Sequence, residues 1–181
     1  MADEDKLIED LMNENSRKKA FSTLVSLYNK RLYWHIRKIV LNHDDADDVL
    51  QNTFLKIWRN LDSFRAESGL YTWIYRIATN ESLTYLSKKK RTLSGSTDET
   101  TEYLLENIQT DPYFEGNDIQ RKLQEAIARL PEKQRLVFNM KYFDEIKYQD
   151  MGKILNTSEG ALKASFHHAV KKIEEYLKLT D

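Results

Sequence analysis

Cysteine is absent from all 181 residues. Its absence excludes disulfides, thiolate metal sites and thiol nucleophiles. Proline occurs twice and glycine five times. So few breakers, in a chain rich in Leu, Lys, Glu and Ile, point to an all-α fold. No apolar run approaches the roughly 20 residues that span a bilayer. The N-terminal stretch MADEDKLIEDL is acidic and lacks the apolar core of a signal peptide. Direct membrane insertion is therefore not expected, and a cytoplasmic location is.

The motifs of common enzymes are missing too. There is no phosphate loop and no nucleophile paired with a base, so no catalytic residue and no enzyme activity are expected. The acidic cluster Asp44–Asp48 lacks the alternating spacing and distal Glu of a calcium loop. Its better role is N-capping, with Asp44 or Asp45 heading the next helix. His167 and His168 are adjacent, so their rings diverge by about 100° on a helix. Zinc ligands on one helix want i, i+4 spacing. No metal or cofactor is expected. His35 and His43 are expected on exposed surface.

Hydrophobic residues make up 40% of the chain and charged residues 31%, as in a soluble, folded protein. The net charge of −1 hides a pattern. Residues 1–92 hold 16 Lys/Arg against 13 Asp/Glu, and residues 118–181 hold 12 against 10. Residues 93–117 hold six acids and no Lys or Arg. Two mildly basic blocks flanking an acidic connector suit two modules that touch a polyanion, with a middle segment that avoids it.

Periodicity places the elements. Residues 4–13 form a short helix. Phe21, Leu24, Val25, Tyr28, Leu32, Ile36 and Ile39 recur at three and four, giving one amphipathic helix over Arg17–Val40. Val49, Leu50, Phe54, Ile57, Trp58 and Leu61 define the next. DSFRAESG reads as a loop, and a helix follows from about Tyr71 to Lys90. Residues 93–117 read as a linker broken at Gly95, Pro112 and Gly116, with a short helical turn near Tyr103–Ile108. Ile119, Leu123, Ile127 and Leu130 open a second block, and Pro131 ends their helix.

The end of that block has the pattern of a helix-turn-helix. Asn156 stands where the turn needs a left-handed residue. Ser158 can cap the second helix and Glu159 suits its positive end. On the helical wheel, Leu162, Phe166, Ala169, Ile173 and Leu177 form the buried stripe. Gly160, Ala164, His167 and Lys171 lie opposite, flanked by Lys163 and His168. Small residues there let the backbone approach a groove wall. Lys163 and the histidines can reach base edges, while Lys171 and Lys172 can reach phosphates.

Longer motifs are more specific. DVLQNTFLKIWRNLDSF, YTWIYRIATN and the basic KKKR resemble region 2 of the bacterial sigma-70 family, in its small extracytoplasmic-function (ECF) group. LPEKQRLVFNMKYFDEIKYQDMGKILNTSEGALKASFHHAVKKI resembles region 4 of the same group. No region 3 domain stands between them, which also fits the small group. The resemblance implies a dissociable initiation subunit of core RNA polymerase, with three segments. Residues 1–92 would be a region 2 helical bundle, 93–117 a flexible acidic linker near the active site and RNA exit path, and 118–181 a region 4 helix-turn-helix domain. Region 2 would bind the clamp helices of polymerase and melt the −10 element of promoter DNA. Region 4 would bind the flap and read the −35 element. An anti-sigma factor is a partner expected by analogy.

Site residues follow from the resemblance. At the −10 element they are Phe64, Arg65, Ser68, Trp73, Arg76, Asn80, Lys88, Lys89, Lys90 and Arg91. Asn80 and the loop Asp62–Leu70 would form the pocket for a flipped base. At the −35 element they are Ser158, Gly160, Lys163, Ala164, Ser165, His167, His168, Lys171 and Lys172. Core polymerase would be met by Asp48, Gln51, Asn52, Phe54, Lys56, Trp58 and Arg59. Ser165 and His168 stand where many relatives carry arginine, and Asn156 replaces the common turn glycine. These departures leave the promoter sequence open. A stand-alone helix-turn-helix regulator is the alternative, but such a regulator has no use for the region 2-like segment.

Overall fold

The computed structural model describes residues 2–66, 68–92, 97–109 and 117–180. Among them every regular element is helical: α1 (Ala2–Met12), α2 (Arg17–Val40), α3 (His43–Asn60), a 3-10 turn (Leu61–Ser63), α4 (Leu70–Thr92), α5 (Thr97–Gln109), α6 (Asp118–Ala128), α7 (Glu132–Tyr142), α8 (Tyr148–Leu155) and α9 (Glu159–Thr180). The all-α expectation holds, and α2 begins and ends where the periodicity places it.

Local chemistry sets the boundaries. Asn42, not Asp44 or Asp45, caps α3: its side chain accepts from the Asp45 N–H at 3.0 Å. The two aspartates fall two and three residues later, in the first turn, where their charge still meets the helix's positive end. Asn117 and Gln120 form a capping box at the start of α6. Pro131 stands immediately before α7. Asn156 takes the left-handed conformation, φ 50°, that the turn after α8 requires.

The largest core runs through α2, α3 and α4, with Leu24, Leu32, Ile36, Ile57, Leu70, Ile74 and Ala78 fully or almost fully buried. It does not stop there. Leu136, Val137, Met140, Ile146, Met151, Ile154 and Leu162 belong to the same continuous cluster. The first and second helical blocks therefore share a core. A satellite cluster of Ala126, Ile127, Leu130, Phe138, Ala169 and Ile173 binds α6, α7 and α9 together.

The connector differs from its expectation. Where the sequence suggests a short turn in a flexible linker, α5 runs for 13 residues. Its Leu104 and Ile108 are buried against Leu41 and Ala128, one from each block. Leu41 adopts a left-handed φ of 59°, which its side-chain burial offsets. The expected breaks at Gly95, Pro112 and Gly116 lie outside the described residues.

Candidate nucleic-acid and polymerase interfaces

The helix-turn-helix has the geometry its sequence predicts. Ser158 Oγ accepts from the Ala161 N–H at 3.3 Å, capping α9. Leu162, Ala169 and Ile173 are buried, and Phe166 and Leu177 are partly so. Gly160, Lys163, Ala164, His167, His168, Lys171 and Lys172 are exposed along one side, with Ser165 at its margin. Nothing lies within 4 Å of where a Gly160 Cβ would stand. Lys163 pairs with Glu159 at 3.8 Å and Lys171 with Glu175 at 4.0 Å. Such exposed pairs are weak, so both cations can exchange to phosphate.

Gly152 eases a tight backbone approach that the wheel of α9 does not reveal. A Cβ there would sit 3.0 Å from the Thr157 carbonyl oxygen, because the turn folds back on α8. The Thr157 N–H donates to the Gly152 carbonyl at 3.1 Å. The sequence does carry a signal for it: a glycine one turn before a left-handed residue permits that close return.

On the first block, Asn80 is exposed on α4 and stands one turn from Arg76. Arg65 is exposed in the loop before α4, with Ser68 partly so. Phe64 points inward instead, packed at 4.9 Å between ring centroids against Trp73, which is half-buried. That contact anchors the loop to α4, so the pair shapes the loop rather than presenting two free rings. Lys88 and Arg91 are exposed and Lys90 partly so.

Two of the expected −10 cations are engaged. Arg76 donates from Nε to the Lys153 carbonyl oxygen at 3.0 Å and also from Nη2, capping the C-terminal end of α8. Lys89 stands 3.7 Å from Asp45, between the rings of Tyr85 and Tyr103. Partial burial disfavours its charge, but Tyr103 and Asp45 outweigh that and hold its pKa above the usual lysine value. Burial, with a hydrogen bond to Asp45, pushes Tyr85 up to about 12. Tyr103 donates to Asp45 at 2.8 Å. The acidic cluster is thus a docking point for Lys89 and the connector helix.

The exposed side of α3 carries Asp48, Gln51, Asn52, Lys56, Trp58 and Arg59, while Phe54 is partly buried. Phe21 holds Trp58 in place, with ring centroids 5.0 Å apart. Leu55, which the sequence motifs do not single out, is 52% exposed in the middle of this surface. An outward leucine breaks the polar face of an otherwise regular wheel, and that is its signal.

His35 and His43 do not lie on open surface. His35 is 1% exposed, hydrogen-bonded by Nδ1 to Asp144 at 2.7 Å and by Nε2 to Thr79 at 2.9 Å. His43 is partly buried and meets the Tyr33 hydroxyl at 2.6 Å. The second block covers α2 and hides His35, which no periodicity within the first block could reveal. Among the described residues, no three His, Asp or Glu side chains gather as metal ligands. No helix among them is long and apolar enough to cross a membrane.

Comparison with known proteins matches the same two surfaces. Residues 24–92 match the family "Sigma-70 region 2" and residues 120–173 match "Sigma-70, region 4". The chain is 28% identical over 167 residues to the ECF RNA polymerase sigma factor SigW of Bacillus subtilis, covering 88% of this chain and 89% of that one. It is 28% identical over 169 residues to an ECF RNA polymerase sigma-E factor of Haemophilus influenzae, covering 89% of each. Among solved structures, the fold is similar to the sigma factor RpoE in complex with the anti-sigma factor NepR from Bartonella quintana. That likeness has a TM-score of 0.71 at 24% identity, over 90% of this chain and 99% of that one. It is also similar to CnrH in complex with the cytosolic domain of CnrY, with a TM-score of 0.69 at 19% identity, over 98% and 99%. Two matches in order along most of the chain, with relatives aligned over 88–89% of its length, place this protein in the sigma-70 family, in its ECF group.

Proposed function

We propose that the chain binds core RNA polymerase, directs it to specific promoters and helps open the −10 element, itself catalysing nothing. Phosphodiester synthesis belongs to the polymerase. Residues 1–92 serve as the polymerase-binding and −10 module, 93–117 as the connector and 118–181 as the −35 module. The observation that carries this reading is the pairing of a small-residue, cation-flanked α9 face with the separate Asn80 and loop surface on α4. A stand-alone regulator would use the first surface and leave the second without purpose.

The α3 surface docks on the clamp helices, with Leu55 and Trp58 as its apolar centre and Asp48, Gln51, Asn52, Lys56 and Arg59 around them. Region 4 engages the flap and lays α9 in the major groove of the −35 element. Gly160 and Ala164 set the close approach there, while Lys163, Ser165, His167 and His168 face bases. At the −10 element a base must leave the stack, which costs a few kcal/mol. Asn80 offers polar edges, the Phe64–Trp73 pair shapes the pocket wall, and Arg65, Lys88, Lys90 and Arg91 hold phosphates. The sigma factor RpoE of similar fold, in complex with the anti-sigma factor NepR, supports an anti-sigma partner here as well.

The test is reconstitution. The purified chain, core polymerase and genomic DNA should yield run-off transcripts from discrete starts. Absence of both core binding and specific starts overturns the reading. Asn80→Ala should impair opening, read by permanganate reactivity of unpaired thymines, more than core binding. Equal loss of both would remove Asn80 from the pocket.

A further inference from the structure

The loop before α4 is held at both ends by the N-terminal helix. α1 has no basic residue in its last turn, so nothing of its own answers the negative end of the helix. Arg17, the first residue of α2, fills that place from across the turn. Its Nε donates to the Leu11 carbonyl at 2.9 Å, beside Ser16 Oγ, which donates to the Asp10 carbonyl at 2.9 Å. The guanidinium then reaches on, and Nη2 donates to Asp62 Oδ1 at 2.8 Å, where the loop begins. Toward the start of α1, Glu4 Oε1 stands 3.9 Å from the place a Gly69 Cβ would take, where the loop gives way to α4. α4 has no acid in its first turn, and Glu4 supplies one from outside. Leu11 is fully buried, so α1 itself is fixed to the main core.

Between those anchors the backbone is strained. Ala66 has a φ of 52°, a conformation that an alanine keeps only where its surroundings impose it. Phe64, two residues earlier, is pinned on Trp73. An exposed ion pair is ordinarily weak, because two side chains must be immobilised to form it. Here Arg17 is already held by the Leu11 carbonyl and is 20% exposed, so only the short Asp62 side chain remains to be ordered. Continued back to Gly69, the wheel of α4 puts Gly69, Trp73, Arg76 and Asn80 within about 60° of one another. Glu4 therefore stands at the head of the face that carries Asn80.

We propose that Arg17 is a positioning residue of the −10 site. Through Asp62 at one end, with Glu4 at the other, it makes α1 part of that site and holds the loop in the strained shape that receives an unstacked base. This rests on the promoter-opening function proposed above. A captured base offsets the cost of unstacking only as far as its pocket is already formed. A loop free to relax at Ala66 must be ordered by the base itself, which weakens capture. The tether touches no base. An Asp62 carboxylate facing DNA would repel phosphates, so direct contact and positioning predict opposite signs when it is removed.

The Asp62 side chain is 78% exposed, so Asp62→Ala leaves the core and the Arg17 cap on α1 in place. In the free chain, hydrogen exchange reads the loop at the Phe64 and Trp73 amides, which donate to the Leu61 and Gly69 carbonyls. Asp62→Ala should speed the first about fivefold, and Glu4→Gln the second about twofold, with the melting temperature and the α2–α4 core amides unchanged. Holoenzyme carrying Asp62→Ala should bind a labelled single-stranded oligonucleotide with the −10 element of a mapped start about fivefold more weakly. Its affinity for core polymerase should not change. Asp62→Glu, which keeps an acceptor, should restore oligonucleotide binding. Arg17→Met should weaken it to the same extent and add nothing further in the Asp62→Ala background. Unchanged Phe64 exchange, unchanged or tighter oligonucleotide binding, or additive losses overturn the proposal. Faster exchange in a chain that yields neither core binding nor specific starts overturns the promoter function instead, and the tether stands as a property of the free chain.

Discussion

His35 and Asp144 lie 109 positions apart in the chain, and their side chains meet at 2.7 Å. An ionised carboxylate can only accept, so His35 Nδ1 carries the proton that joins them. His35 Nε2 meets the Thr79 hydroxyl oxygen at 2.9 Å, while the single proton of that hydroxyl goes to the Tyr75 carbonyl at 2.7 Å. One imidazole thus ties α2 to α4 on one side and to the turn after α7 on the other.

The pair has a signature in acid. Burial pushes the Asp144 carboxyl up, but the hydrogen bond and charge of His35, with Lys38, outweigh it and hold the group below its ordinary value of 3.8. A carboxyl with a depressed folded pKa contributes stability that is full above the unfolded value and is lost as pH falls through the folded one. The Asp144 contribution should therefore be flat from neutral pH to about 5, begin to fade near the ordinary carboxyl value, and be lost as pH falls on through the lower folded value. Asp144→Asn should cost about 3 kcal/mol at pH 7, as for a broken buried pair. That corresponds to roughly 6–12 °C in melting temperature. The gap between wild type and variant should narrow in acid; thermal melts from pH 8 down to about pH 2 check both statements, and a gap that does not shrink as pH falls below about 4 contradicts them.

Leu41 carries a backbone penalty for a packing gain. Its φ of 59° costs a non-glycine residue about 1–2 kcal/mol. Its side chain is 9% exposed in the cluster that seats α5. Leu41→Gly should remove the penalty yet lose about 2 kcal/mol of burial. Global stability should then change little, while α5 detaches. Hydrogen exchange should show faster α5 amides with the α2–α4 core unchanged. Equal acceleration everywhere would mean that Leu41 supports the whole fold.

Leu55 tests the polymerase surface. At 52% exposure its replacement by Asp should alter folding stability by no more than about 0.5 kcal/mol. If it lies at the centre of the docking surface, affinity for core polymerase should fall about 10- to 100-fold. Titration of labelled chain with core polymerase measures that directly. Unchanged affinity would move the apolar contact away from α3.

How much of this is legible in the sequence follows the range of the forces involved. The helices, the left-handed Asn156, the Ser158 cap and the outward face of α9 depend on neighbours within a turn or two, and each appears as read. Phe64, Leu55 and α5 show where such reading weakens. An aromatic in a loop can turn inward, a leucine can face out, and an acidic connector can fold when Leu104 and Ile108 find Leu41 and Ala128. His35, Arg76 and Lys89 mark its limit. Their partners Asp144, Lys153, Asp45 and Tyr103 lie on other elements, in three of four cases far along the chain, and no periodicity encodes which block will cover which.

Gly160 separates stability from recognition on α9. It is exposed, helical, and has nothing within 4 Å of the position a Cβ would take. A glycine in a helix costs about 0.5–1 kcal/mol relative to alanine. Gly160→Ala should therefore stabilise region 4 by up to that amount. If α9 enters the major groove, a larger side chain must instead collide with the groove wall. Gly160→Leu should keep a melting temperature at or above wild type while −35-dependent transcription falls at least about tenfold, the equivalent of about 1.4 kcal/mol. Transcription from a promoter with a scrambled −35 element provides the control, since it should be low and indifferent to the substitution. Full activity of Gly160→Leu on the intact promoter would place the DNA on a different face of α9.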